Sequence, residues 1–161
     1  MIVFRPTPGF AYAHPARIVA FGFGAGLVPS APGTVATLAA WPAALVLAEL
    51  HPGLLLPLIA ALFALGVWAC GVTAEHLGVH DHGAMVWDEM VAFVLVAALL
   101  PQTLGWQVAG FVLFRAFDIG KPPPIRWIER RYRGGFGVMV DDLAAAGYTL
   151  LVLAVVRRVF L

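Results

Sequence analysis

The sequence predicts an all-α, compact polytopic helical membrane bundle whose carboxylate-rich loops gather on one side. Three observations carry that reading. The 161 residues are 61% hydrophobic and 12% charged, with a mean hydropathy of +0.91. Soluble domains average about 45–50% and about 25%, so lipid is the fitting solvent for much of this surface. The apolar runs are rich in Ala and Leu and do not alternate with polar residues, which favours helices over strands. The acids collect at the ends of those runs instead of along them.

Taken in order, Met1 to Pro8 lack a basic run leading into an apolar stretch with a small-residue cleavage site, so no removable signal peptide is expected. Five apolar segments follow, at roughly 35–50, 54–74, 86–100, 105–117 and 143–160. The second and the last come nearest to the ~20 residues a span needs, and the others suit helices that support one another in a bundle. Turns at His51-Pro52-Gly53 and Pro101-Gln102-Thr103 are poor in charge. The connections 27–34, 75–88 and 118–142 hold most of the acids together with Arg126, Arg130, Arg131 and Arg133. Alternating spans place these three connections on one side, and the arginines mark it as cytoplasmic. Arg157 and Arg158 then fall opposite if the last segment spans fully; snorkelling or an early helix end would reconcile them.

The chain reads as one domain, 1–161, without internal repeats. A net charge of +1 offers no basic field for nucleic acid. Cys70 is the single cysteine, which excludes an intrachain disulfide and a Cys-based metal site and leaves core packing as its role.

Chemistry concentrates in four places. His80-Asp81-His82-Gly83 runs through Trp87-Asp88-Glu89 into an apolar helix, with three carboxylates within nine residues. In one continuous helix Asp81 and Asp88 would share a face. Carboxylates at a membrane edge need compensation, which a hard cation such as Mg²⁺ supplies together with substrate phosphate oxygens; the plainer alternative is that acids simply start a helix. His80 and His82 read as solvated, since no third His or Cys stands at zinc spacing. Arg115 and Asp118 lie one helical turn apart, as a site pair or a simple ion pair. Lys121, just beyond, is a compact point charge suited to phosphate. Gly134-Gly135-Phe136-Gly137 precedes Asp141-Asp142, where glycines allow close approach to a ligand; the alternative reading of Asp141 is an N-cap. Adjacent Asp141 and Asp142 diverge on a helix and should not bind one ion in the same way. Thr34 opens a helix as its cap or as part of an anion site. Gly22-Phe23-Gly24-Ala25-Gly26 is not a dinucleotide loop, because no strand precedes it.

These motifs stand in one order over roughly residues 20–147: Gly22 to Leu27, Pro32-Gly33-Thr34, Asp81-His82-Gly83 with Trp87-Asp88-Glu89, Phe114-Arg115 with Asp118, Lys121-Pro122 with Pro124-Ile125, and Gly134-Gly135 through Asp141-Asp142. Together they resemble the phosphatidylglycerophosphatase A family, with departures at Ala36 and Ala92, where that family usually has Gly. The resemblance implies Mg²⁺-dependent hydrolysis of phosphatidylglycerophosphate to phosphatidylglycerol at the bacterial inner membrane, by a multi-pass protein whose active site faces the cytoplasm. On that reading Asp81, Asp88, Glu89, Asp118, Asp141 and Asp142 form a metal-holding carboxylate ring. Asp81, Asp88, Glu89, Asp118, Lys121 and Asp142 are the candidate catalytic residues, and Thr34, Arg115, Lys121, Gly134 and Gly135 the candidate substrate-binding ones. The alternative is a cation-binding or transport bundle without phosphatase activity, and a lipid phosphotransferase is a third reading. A Cys-x5-Arg phosphatase loop is absent, since His76 stands six residues after Cys70.

Overall fold

The computed structural model describes residues 5–160, which are mostly helical and form no strand. Met1 to Phe4, on which part of the signal-peptide expectation rests, lie outside the described residues. The helices are α1 (Pro8–Tyr12), α2 (Pro15–Ala20), α3 (Pro32–Leu47), α4 (Pro52–Leu77), α5 (Trp87–Leu99), α6 (Leu104–Gly120), α7 (Ile125–Arg131) and α8 (Gly134–Phe160), with a 3-10 turn at Gly22–Leu27. All five expected segments are helices. The short α1, α2 and α7 were not anticipated from hydropathy, yet α1 and α2 carry local start signals. Pro8 and Pro15 open them, and Thr7 and His14 accept the Phe10 and Ala16 N–H groups at 3.2 Å.

Among the described residues only α4 and α8 are long and apolar enough to cross a bilayer. A rise of 1.5 Å per residue makes each ~39–40 Å long, against ~30 Å of hydrocarbon, whereas α5 reaches only ~20 Å. Of the most apolar stretch of α4 only 28% is buried, and large side chains such as Leu54, Leu56, Leu65 and Trp68 point outward. A soluble core helix would bury that surface; lipid is the solvent that tolerates it.

Packing inside the bundle relies on small residues and one aromatic knot. Ala36, Ala40 and Ala44 recur on one face of α3, which packs along α5. Ala36 and Ala92 are both buried. Trp41, Phe93, Phe111 and Phe114 tie α3, α5 and α6 together with ring centroids 5.7–5.9 Å apart. Gln107 satisfies the polar ends: its Oε1 accepts from Trp41 Nε1 at 3.1 Å and its Nε2 donates to the Ala97 carbonyl at 2.9 Å. On the other flank, α8 crosses α4 at glycines. A Cβ on Gly135 would stand 1.8 Å from the Val67 carbonyl oxygen, and one on Gly66 would run into Met139 and Trp87.

Following the chain through α3, α4, α5, α6 and α8 puts the connections 28–31, 78–86 and 121–133 at one end, and 48–51 and 100–103 at the other. Two expectations need correction here. The last helix starts at Gly134, not near 143, because the three glycines join it instead of leading up to it. It also does not stop short: Arg157 and Arg158 are helical and border the same cleft as Leu99 to Pro101, at the far end.

Candidate active site

The stretch before α5 is held by the end of α2 and by the 3-10 turn. The Val86 N–H donates to the Ala20 carbonyl at 2.8 Å, and a Cβ on Gly26 would collide with the Ala84 carbonyl oxygen. That brace excludes the continuous helix that would put Asp81 and Asp88 on one face. Residues 80–86 are irregular, α5 begins at Trp87, and Trp87 Nε1 anchors it to the Leu62 carbonyl at 3.1 Å. Asp88 and Glu89 therefore occupy the first turn of α5, where the positive end of the helix dipole suits acids.

Three helices then converge. Glu89 from α5, Asp118 from the last turn of α6 and Asp142 from α8 each place a carboxylate oxygen within 4.8 Å of the others. Asp88, Asp118, Asp141 and Asp142 are all buried. One oxygen each of Asp88, Glu89 and Asp142 has no hydrogen-bond partner among the described residues. Unpartnered buried carboxylate oxygens are costly, and three in one place form a site that a bound cation would satisfy. Glu89, Asp118 and Asp142 make a group able to hold a metal ion, and an all-oxygen set of this kind suits a hard divalent cation.

Two basic side chains bind the group from the side. Arg115 Nη1 lies 2.9 Å from Glu89 Oε1 and 2.6 Å from Asp118 Oδ2, so the i,i+3 ion pair is made and extended to a third residue. Lys121 Nζ lies 2.6 Å from Asp141 Oδ2 and 2.9 Å from Glu129 Oε1. Burial acts to lower the pKa of Lys121, but its hydrogen bonds to Asp141 and Glu129 more than reverse that and hold the ammonium charged. Its backbone is left-handed (φ 41°) at the C-cap of α6, where glycine would be relaxed. The chain accepts that strain and keeps a lysine there, pointing to a role for the ammonium.

Asp81 lies at the rim, open to solvent, beside a cleft of about 520 Å³ bordered by Pro32, Gly26, His82 and Arg5. Protein crowded on its inner side raises the Asp81 carboxyl above the usual range, and Lys121 only partly offsets this.

Other expected residues sit differently. Thr34 does not cap α3: Ala31 holds the cap position, with Thr34 inside the first turn. Its neighbour Gly33 matters more, since a Cβ there would stand 2.0 Å from Glu89 Oε1, so glycine leaves the space the carboxylate occupies. Asp141 and Asp142 are not at a helix start but two turns inside α8. Gly135 faces the α4 backbone, leaving its Cα no room for a ligand, while Gly134 is exposed with φ 69° at the entry to α8. Glu129 was missed. Within Arg126 to Arg133 it reads as one more solvated charge, and only the fold of α7 against α8 brings it to Lys121.

The family model for phosphatidylglycerophosphatase A matches residues 18–157. A curated phosphatidylglycerophosphatase A from Haemophilus influenzae is 41% identical over 156 residues, covering 95% of each chain. One from Escherichia coli is 45% identical over 136 residues, 83% of this chain and 78% of the relative. A third relative, provisionally named a phosphatidylinositol-3-phosphatase, from Bacteroides thetaiotaomicron, is 38% identical over 150 residues, 88% of this chain and 93% of its own. No solved structure gives a significant match. The convergent carboxylates lie inside the matched span, and the chain belongs to the phosphatidylglycerophosphatase A family.

Proposed function

We propose that this chain removes the terminal phosphate of phosphatidylglycerophosphate, giving phosphatidylglycerol and inorganic phosphate, with Mg²⁺ as cofactor, at the cytoplasmic face of a bacterial inner membrane. The observation that carries the reading is the charge balance of the site. Seven of the chain's nine acids (Asp81, Asp88, Glu89, Asp118, Glu129, Asp141, Asp142) gather around two cations, Arg115 and Lys121. A phosphomonoester would be repelled from such a cluster unless bound cations reverse its sign. Glu89, Asp118 and Asp142, with Asp88 beside them, would hold Mg²⁺, which when bound polarises the phosphoryl group and a water molecule.

The remaining residues supply placement and charge. Arg115 fixes the Glu89 and Asp118 carboxylates relative to each other. Lys121, held at the mouth of the site by Asp141 and Glu129, is the cation that meets the substrate phosphate, which exchanges for one of those carboxylates. Asp81, at the rim beside the cleft, is the acid nearest solvent and the one open to proton exchange with water. An ion path through the bundle lacks support, because among the described residues the buried polar side chains beyond the site are Thr37, Thr73, Gln107 and Thr149, all uncharged. The test is phosphate release from phosphatidylglycerophosphate in micelles, with chelator and with Mg²⁺ restored. Activity only with Mg²⁺ supports the reading. Full activity in excess chelator overturns the metal, and no release under either condition overturns the hydrolysis.

A further inference from the structure

Arg157 and Arg158 take no part in the site. They stand near the end of α8, at the opposite end of the bundle from the carboxylates, and both are exposed. Among the described residues neither enters an ion pair. Both border a cleft of about 530 Å³ whose walls include Leu100, Trp106, Leu150 and Leu153. Basic residues in a last turn offset the negative end of the helix dipole, which accounts for charge at this place. It does not account for a largely apolar cleft bordered by both arginines. On the topology proposed above this end lies away from the cytoplasm, where basic residues are disfavoured, so their presence there asks for a partner that resides in that leaflet.

We infer that this cleft binds an anionic glycerophospholipid of the leaflet opposite the active site, its phosphate meeting Arg157 and Arg158 and an acyl chain lying along Leu100, Leu150 and Leu153. Charge complementarity selects the headgroup, because guanidiniums pair with phosphate oxygens in a bidentate way. Trp106 on the cleft wall has the amphipathic ring that sits at headgroup depth. The site is distinct from the carboxylate group, and its failure would leave the phosphatase reading untouched.

The full chain in detergent–lipid micelles would be photolabelled with phosphatidylglycerol or phosphatidylcholine carrying a diazirine in one acyl chain, and the adducts mapped by mass spectrometry. Labelling of peptides spanning 99–106 and 150–154 by the anionic probe, at least about tenfold above the zwitterionic one, is expected. In the double variant Arg157→Gln/Arg158→Gln that preference should vanish while phosphate release stays at the level of the unchanged protein. Equal labelling by the two probes, or an undiminished preference in the double variant, overturns the site. Should the double variant fold poorly, competition decides on the unchanged protein. Unlabelled phosphatidylglycerol must suppress these adducts and phosphatidylcholine must not; the reverse or no difference refutes the proposal.

Discussion

Asp141 and Asp142 are neighbours in the chain and point to different partners. A helix turns ~100° per residue, which sends Asp141 to Lys121 at 2.6 Å and Asp142 into the carboxylate group with Glu89 and Asp118. Asp142→Asn is nearly isosteric and removes a charge from a buried oxygen that lacks a partner. The expected result is a loss of at least about a hundredfold in kcat with the thermal unfolding temperature not lowered. Asp88→Asn is expected to behave alike, since its Oδ1 is also unpartnered; phosphate release within a few-fold of the unchanged protein in both variants would return these acids to plain helix residues. Gly33→Ala tests the site from the other direction. Its methyl would overlap the Glu89 carboxylate, which ends a flexible side chain and can yield, so the fold should survive while activity falls at least about tenfold. Unchanged kcat in Gly33→Ala would show that the position of Glu89 is unimportant.

The elements matter through how closely they approach. α8 carries Asp141 and Asp142, and its depth relative to α5 and α6 is set where it crosses α4 at Gly135 and Gly71. At Gly135 the obstacle is backbone, the Val67 carbonyl, which cannot swing aside as a side chain can. Gly135→Ala should therefore cost about 1–3 kcal/mol of stability, read as a lower unfolding temperature in detergent, and should reduce activity along with it. An unshifted unfolding temperature would mean that the crossing is looser than drawn. The resemblance implied that Gly135 binds substrate, and its spacing in the sequence suits that role equally well. Glycine looks the same whether the backbone it admits belongs to a ligand or to another helix, and only the packed pair decides between them.

At the scale of the molecule, the seven acids of the site, the Arg-rich α7 and the N-terminal helices share one end, and the turns at 48–51 and 100–103 the other. If that first end is cytoplasmic, single cysteines placed at Pro52 and Gln102 in a Cys70→Ala background should react with a membrane-impermeant thiol reagent on intact cells, and one at Arg131 should not. Basic loops are retained inside and drawn to an anionic surface at ~1 kcal/mol per residue, which is the reason for expecting that pattern. Labelling at Arg131 alone would put the carboxylates on the outer face and remove the proposed substrate leaflet.

Composition, run length and motif order along the chain already carried the helical class, the five main helices, the two long enough to span, and the acids Glu89, Asp118 and Asp142 that meet in the fold. Each of these follows from composition, run length or the ordered motifs, which act locally or survive as a pattern along the chain. The tertiary structure alone decided how those acids divide: Glu89, Asp118 and Asp142 together, Asp141 with Lys121 and Glu129, and Asp81 at the rim. It also decided that Gly33 yields space to Glu89 and that Gly135 yields it to α4. Such choices depend on which helix faces meet and how near, a property of three-dimensional packing that spacing along one chain does not encode.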